Sequence, residues 1–219
     1  MNKKKIGALL VAATLAIGAI GGSLAWFTSQ HSVTNAFSTG TTDDPTNTDS
    51  GIEVEEEFDE DDAKNITPGT EVTKEVKVNN TASYDQFIRA KVDITFYDVD
   101  EDGEKTEITN STKIASLKAN LQLNYFTENI NGTTEFATEK WKLDEATGYY
   151  YYLDKLAADE STKELLKSVK LLGTATNEFK NIAFDVDVLA ESIQASNGAY
   201  KDWSPEALKS TYQDLEADN

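Results

Sequence analysis

The sequence predicts a mainly β protein, built as an antiparallel two-sheet sandwich or jelly roll with a few short helices. The first observation is that apolar and polar residues alternate over many short stretches, which is typical of strands with one buried face. The second is that turn signals separate these stretches, for example Pro68-Gly69 and Gly148. The third is that helical periodicity is scarce. Together these patterns favour the all-β sandwich class.

The predicted strands share this alternation and differ mainly in length. The clearest runs from Ile88 to Phe96, where every second residue is apolar. In order, the predicted strands cover 51–62 (an edge strand that enters an acidic loop), 72–78, 88–96, 117–125, 141–143, 149–153, 169–172 and 182–190. In the run Tyr149 to Tyr152, two tyrosines should face each side of the sheet, and aromatic residues in strands mostly serve packing.

Two short helices are expected. Ser161 with Glu164 forms a capping box that predicts one or two helical turns. Near the end of the chain, Ser204-Pro205 is a helix start, and the helix 205–215 would present Leu208, Tyr212 and Leu215 on one side.

The N-terminus has the layout of a secretory signal peptide over 1–25. Three lysines, Lys3 to Lys5, precede an uncharged apolar run, and the small residues Ser23 and Ala25 stand at the −3 and −1 positions of a cleavage site. The alternative is an uncleaved membrane anchor, since the run is long enough to span a bilayer. The glycine-rich and alanine-rich run, ended by a Gly-Gly pair, favours cleavage.

We predict cleavage between Ala25 and Trp26. N-terminal sequencing of secreted material should read Trp-Phe-Thr-Ser. A start beyond Phe37 would remove the strand described next.

Residues 26–40 predict a strand with nothing local to pair with. Phe27, His31, Val33 and Phe37 fall on one side of the alternation, and polar residues fall on the other. Residues 41–50 are polar and contain Pro45, so they predict a flexible linker before the body, 51–219. The strand is therefore free to leave its own domain.

Composition limits the partners. The chain has 20 basic and 39 acidic residues, and removal of the three signal-peptide lysines leaves 17 basic residues and a net charge of −22. Such a charge makes nucleic acid and anionic membranes unfavourable partners. There is no cysteine, hence no disulfide and no thiol nucleophile.

The N-terminus, with Ala25-Trp26-Phe27 followed by Asn35-x-Phe37-x-x-Gly40, resembles the TasA/camelysin (CalY) family. Pro68-Gly69, the valine-rich strand 72–78, the corner 80–83 and the ending from Ala190 to Trp203 resemble family segments as well. The resemblance implies a secreted biofilm-matrix subunit of Gram-positive bacteria that polymerises into fibres. The implied partners are further copies of itself, a dedicated signal peptidase of the SipW type, and a minor homologue that anchors or caps the fibre.

The acidic sequence Asp98-x-Asp100-x-Asp102-Gly103 is a weak calcium candidate. It begins like a calcium loop, but the twelfth position, which an EF-hand fills with glutamate, is Thr109. The favoured interpretation is a hairpin turn between 94–97 and 105–108. We expect no other cofactor.

Three functions stay open at this stage. The favoured one is a non-enzymatic fibre subunit whose N-terminal strand pairs with a neighbouring copy. The second is a camelysin-like metallopeptidase, although His31 is the one histidine and no H-E-x-x-H occurs. The third is a monomeric module that binds carbohydrate or signals through exposed aromatic residues. Lys–Asn amide crosslinks are also conceivable, but they need a buried acid that the sequence does not locate.

Overall fold

The computed structural model describes residues 25–28, 51–58, 62–63, 66–126, 130–131 and 140–218. Within them, eleven strands and three short α-helices follow one another. The strands are β1 Ala25–Thr28, β2 Ile52–Phe58, β3 Glu71–Asn80, β4 Gln86–Val99, β5 Lys105–Glu107, β6 Leu121–Tyr125, β7 Ile130–Asn131, β8 Trp141–Asp144, β9 Tyr149–Tyr152, β10 Leu166–Leu171 and β11 Ile182–Gln194. The helices are α1 Ser111–Lys118, α2 Tyr200–Trp203 and α3 Lys209–Ala217, with 3₁₀ turns at Asn177–Phe179 and Glu206–Leu208.

The strands form two packed sheets, which confirms the predicted fold class. Sheet A has the order β1-β11-β4-β9-β8-β7, with β5 paired to β4. Sheet B has the order β2-β3-β10-β6. The pairs are antiparallel except β1 with β11 and β7 with β8, which are parallel.

The core lies between the two sheets and follows the alternation seen in the sequence. The long pair β4 and β11 contributes Phe96 and Phe184, whose ring centroids are 5.8 Å apart. Trp141 is fully buried, and its indole N–H donates to the Lys163 carbonyl at 2.9 Å. This bond satisfies the indole donor in the dry interior, as a buried tryptophan requires.

A second apolar cluster covers the other face of sheet A. Phe87 and Tyr151 lie there beneath the C-terminal helices, in contact with Tyr212. Tyr150 and Tyr152 belong to the main core, so the four tyrosines divide two to each face as predicted. Leu208 and Tyr212 are buried and Leu215 packs against them, which confirms the predicted apolar side of the last helix.

A buried amide network closes the corner between β3 and β4. The Asn80 side-chain N–H₂ group donates to the carbonyls of Tyr84, Leu156 and Ala157 at 2.9 to 3.0 Å. Its oxygen accepts from the Ala82 backbone N–H at 2.9 Å and from Gln86 Nε2 at 2.8 Å. One side chain therefore ties together three chain segments.

The predicted turns are confirmed. Gly69 and Gly148 have φ values of 96° and 76°, in the region that glycine adopts without strain. Thr70 N–H donates to the Thr67 carbonyl at 2.8 Å, which closes the turn at Pro68-Gly69. The 98–103 segment comprises the end of β4 and the turn that leads to β5, in which Gly103 has φ 86°.

The prediction of one strand over 117–125 is wrong in its first part. Asn110 caps α1 by accepting from the Lys113 N–H at 2.9 Å, and Leu117 packs into the core from the last turn of that helix. The strand β6 begins only at Leu121. The apolar alternation from Leu117 onward is compatible with a helix or a strand, and the local cap at Asn110 favours the helix.

The capping box at Ser161 and Glu164 is also wrong. Thr162 exchanges two hydrogen bonds with Val78: its N–H donates to the Val78 carbonyl at 2.8 Å, and its hydroxyl accepts from the Val78 N–H at 3.0 Å. Ser161 donates to the Asn79 side chain at 2.6 Å. The segment thus runs beside β3, because long-range backbone pairing replaces the local cap.

Ser204 does not cap the last helix as predicted. Its hydroxyl donates to the Tyr200 carbonyl at 2.8 Å, so it closes the end of α2, and a 3₁₀ turn precedes α3. The sequence missed α2 because it is a single turn.

Candidate functional site

The outer edge of β11 is the feature of the fold that the proposed assembly would use. On one side, β11 pairs with β4 along its whole length. On the other side, β1 pairs in parallel with Ile182 to Asp185. In the described part of the chain no strand pairs with the remaining edge, from Val186 to Gln194. An edge of this kind is a template for pairing with another strand.

The two faces of β11 differ sharply in chemistry. Phe184, Val188 and Ala190 point into the core and are 0 to 3% exposed. Asp185 and Asp187 alternate with them and therefore lie on the other face. An additional strand on this edge would need apolar residues on one side and polar residues on the other.

The electrostatics of this edge are acidic. Burial and the neighbouring charge of Asp185 raise the pKa of Asp187 above its ordinary value, while Lys74 opposes that shift. Asp187 also stands in register with Asp93 on β4. Asp187 therefore takes up a proton at a higher pH than an ordinary aspartate.

One cation compensates part of this charge. Lys105 Nζ lies 3.6 Å from Asp185 Oδ1, and Asp185 is almost completely buried. Burial, followed by the charge of Asp185, raises the pKa of Tyr97 to about 12. The tyrosine thus stays neutral, with its hydroxyl hydrogen, well above its usual range.

The predicted N-terminal residues are only partly within the described chain. Ala25, Trp26 and Phe27 lie in β1, and Phe27 stands in register with Phe184. The cleavage-site residue Ser23 and the predicted polymerisation residues His31, Val33 and Phe37 lie outside the described residues. The linker 41–50 does as well.

The calcium candidate is placed in the turn between β4 and β5. Asp100 Oδ1 accepts from the backbone N–H groups of Asp102 at 3.0 Å and Glu104 at 2.9 Å. Asp98 forms an ion pair with Lys113 at 2.6 Å. These contacts are those of a hairpin turn, and calcium binding stays a prediction.

The aromatic residues considered for carbohydrate binding do not form an exposed row. Trp141 is fully buried, and Trp203 is half-buried against the Arg89 guanidinium, whose carbon lies 5.0 Å from the indole ring. Arg89 is also paired with Glu191 and lies 4.4 Å from the Tyr149 ring. This cluster fastens the C-terminal helices to sheet A.

Sequence reasoning missed the buried Lys74, whose charge acts on Asp187 of β11. Lys74 occupies the same apolar row of β3 as Val72, Val76 and Val78 and is fully buried. A lysine in a row of alternating valines was a visible signal, because a charge at a core position needs a partner.

The described residues do not fit a catalytic zinc centre. Protease zinc sites usually combine histidines with a carboxylate, and the single histidine, His31, is outside the described chain. Among the residues that the structure places, no group of three or more histidine, cysteine, aspartate or glutamate side chains is arranged to hold a metal. Nor does any helix described here combine the length and apolarity that crossing a membrane requires.

Comparison with known proteins identifies the family of the chain. No curated protein matches the chain. Among solved structures, the chain is similar to an ASH/PapD-like domain of human CEP192, with 10% identity, 66% of this chain and 84% of that chain covered, and a TM-score of 0.25. The family model described as "Camelysin metallo-endopeptidase" matches residues 1–189. Proteins of that family are secreted or surface-associated, and the chain belongs to it, the camelysin family with its TasA-like members.

Proposed function

We propose that the protein is a secreted structural subunit that polymerises into extracellular fibres. In this proposal, the N-terminal strand of one copy adds to the outer edge of β11 in the next copy. The observation that carries it is the edge of β11 from Val186 to Gln194, which no strand in the described part of the chain covers. In the single chain, the short strand β1 pairs with the preceding residues, Ile182 to Asp185.

The pairing of β1 with β11 defines a register that a longer donor strand could continue. Ala25 stands opposite Ile182, and the two strands run parallel. A donor strand that keeps this register residue by residue reaches Phe37 opposite Gln194, which is the last residue of β11. The apolar alternation in the sequence ends at this same Phe37, three residues before Gly40.

The chemistry of the opposing residues is also complementary. In that register His31 and Val33 stand opposite Val188 and Ala190, which face the core. Thr28 and Gln30 stand opposite Asp185 and Asp187. Apolar residues would thus extend the apolar layer and polar residues the polar one, which is the pattern of β-strand addition.

Disulfide trapping between copies tests this register. The chain has no cysteine, so we would mix a Ser32→Cys variant with a Leu189→Cys variant, whose positions stand opposite each other in the proposed register. Because each chain carries one cysteine, only contacts between copies can form the mixed disulfide. We expect a covalent heterodimer in assembled material. The matched control pairs Ser32→Cys with Glu53→Cys on the exposed face of sheet B. Fibres in which the two mixtures crosslink equally would contradict the register.

We predict that mild acid or added salt accelerates assembly. Subunits that carry a net charge of −22 repel one another, and salt screens this repulsion. The raised pKa of Asp187 means that its charge at the β11 edge is lost at a higher pH than that of an ordinary aspartate. Light scattering against pH and salt measures the rate. Fastest assembly at neutral pH and low salt would show that charge does not limit the reaction.

A metallo-endopeptidase is the second candidate, favoured by the description of the family model. It predicts hydrolysis of a protein substrate that a chelator abolishes. A zymogram of the purified chain 26–219 with and without chelator decides between the two candidates. Chelator-sensitive hydrolysis by this chain would support the enzyme, with His31 as the first residue to replace.

A further inference from the structure

The buried side chains of a lysine and a glutamate face each other across β2 and β3. Lys74 Nζ lies 2.8 Å from Glu56 Oε2, and the two side chains are 0% and 4% exposed. Lys74 stands in register with Phe58, two residues from Glu56, and its amine lies 5.1 Å from the Phe58 ring. The pair is therefore shielded from water and lies beside an aromatic ring.

A third acid is within electrostatic reach of this pair. The charges of both Lys74 and Glu56 act on Asp187, in opposite directions. Asp187 Oδ1 is buried and has no hydrogen-bond partner within the part of the chain described here. Burial disfavours its charged form, so Asp187 can carry a proton where an ordinary aspartate would have lost it.

We infer that Lys74 and Glu56 become joined by an amide bond between their side chains. The Lys74 ammonium gives up a proton, and its nitrogen then attacks the Glu56 carboxyl carbon. The Nζ–Cδ bond forms, one Cδ–Oε bond breaks, and that oxygen leaves as water with the two protons that the lysine ammonium gives up. No oxidant, reductant or other reactant is needed.

Two physical arguments support the reaction. The side chains are held at contact distance, and such positioning replaces a bimolecular encounter with an effectively unimolecular step. A buried ion pair also bears the desolvation penalty of two charges. The amide is neutral, so its formation removes both charges from the core, and burial shields the product from hydrolysis.

The position of the bond gives it a mechanical role, and this role rests on the proposed function. β2 is the edge strand of sheet B and the first strand of the body after the linker. Tension transmitted through the strand 26–40 would enter the body at Ile52. An amide to Lys74 would fasten this edge strand covalently to β3.

Mass spectrometry of the full mature chain 26–219 tests the bond directly. We expect the intact mass to be lower than the sequence mass by one water, and proteolysis to release a branched peptide that joins Lys74 to Glu56. Lys74→Arg, which keeps the charge, and Glu56→Ala should both restore the full mass. Lys105→Arg is the matched control and should keep the loss, because that lysine approaches Asp185 and not Glu56.

Three results would overturn the bond: a full-mass wild-type chain after prolonged incubation in the folded state, a branched peptide that contains Asp187 in place of Glu56, or a loss of water that persists in Lys74→Arg. A crosslinked chain that forms no fibres would refute the proposed function and leave the bond standing.

Discussion

A chain that lacks residues 26–40 should fold as a soluble monomer and form no fibres. The body 51–219 contains both sheets and both apolar clusters, so its fold does not depend on the deleted segment beyond the short strand β1. The edge of β11 would then have no donor strand. Electron microscopy of the deleted and full-length mature chains under identical conditions measures the effect, which we expect to be complete.

The energetics explain why side chains, and not the backbone alone, should decide this result. Ordering roughly twelve residues costs about 1–2 kcal/mol each, whereas roughly ten ladder hydrogen bonds return only about 0.5–1.5 kcal/mol each. Burial of three apolar side chains, those of Phe27, Val33 and Phe37, adds about 1.5–3 kcal/mol each. These terms nearly balance, so loss of the apolar contacts should prevent addition of the strand.

A matched pair of double variants separates this effect from charge. Val33→Asp with Phe37→Asp changes the side that would face the core, and Ser32→Asp with Thr34→Asp adds the same charge to the other side. We expect the first variant to abolish fibres and the second only to slow them. A synthetic peptide of residues 26–40 should also cap growing ends. Fibres from the deleted chain would show that the bodies join by other surfaces.

Local patterns in the sequence predict the long strands well, but they predict the short helices and their caps poorly. The alternation from Ile88 to Phe96 and from Ile182 to Ala190 corresponds to the long pair β4 and β11, because each strand buries one face. The same alternation predicted a strand at Leu117 incorrectly, because a side chain in a capped helix can be buried as readily as one in a strand. Ser161 and Glu164 had the residues of a cap, but pairing with β3 removed the need for one.

The candidate site was less predictable for a different physical reason. The strand of residues 26–37 can be recognised from its own alternation, but the neighbour of β11 is set by the order of strands in the sheet, which no local pattern encodes. The electrostatic effect of Lys74 and Glu56 on Asp187 likewise depends on how strands far apart in the sequence are arranged in the fold. The burial of Lys74 was missed, although a charge within a row of valines could have indicated it.

Replacement of Asn80 should produce a large loss of stability. The side chain is 1% exposed and makes five hydrogen bonds that join the end of β3 to the corner 82–86 and to the 156–157 loop. In Asn80→Ala, the Ala82 N–H group and the Gln86 amide lose an acceptor in a buried site. We expect a loss of about 3 kcal/mol in the free energy of unfolding, because each unsatisfied buried group costs about 1–3 kcal/mol. For a chain of this size the melting temperature should fall by about 10 °C.

The aspartate variant gives the sharper test of this network, because its effect depends on pH. In Asn80→Asp the side chain keeps its acceptors, but its charged form faces the carbonyls of Tyr84, Leu156 and Ala157, which the amide N–H₂ group had contacted. Burial and these dipoles should raise the pKa of the new carboxyl in the folded state. The protonated form is then favoured by folding, so stability relative to the wild type should be lowest at neutral pH and recover as the pH falls through that pKa. Asn79→Ala is the matched control: it removes the half-buried neighbour, whose hydrogen bonds to Glu55 and Ser161 are exposed, and it should cost no more than about 1 kcal/mol. Thermal unfolding of the three variants between neutral and mildly acidic pH measures both effects, and equal losses in Asn79→Ala and Asn80→Ala would show that the buried amide does not stabilise this corner.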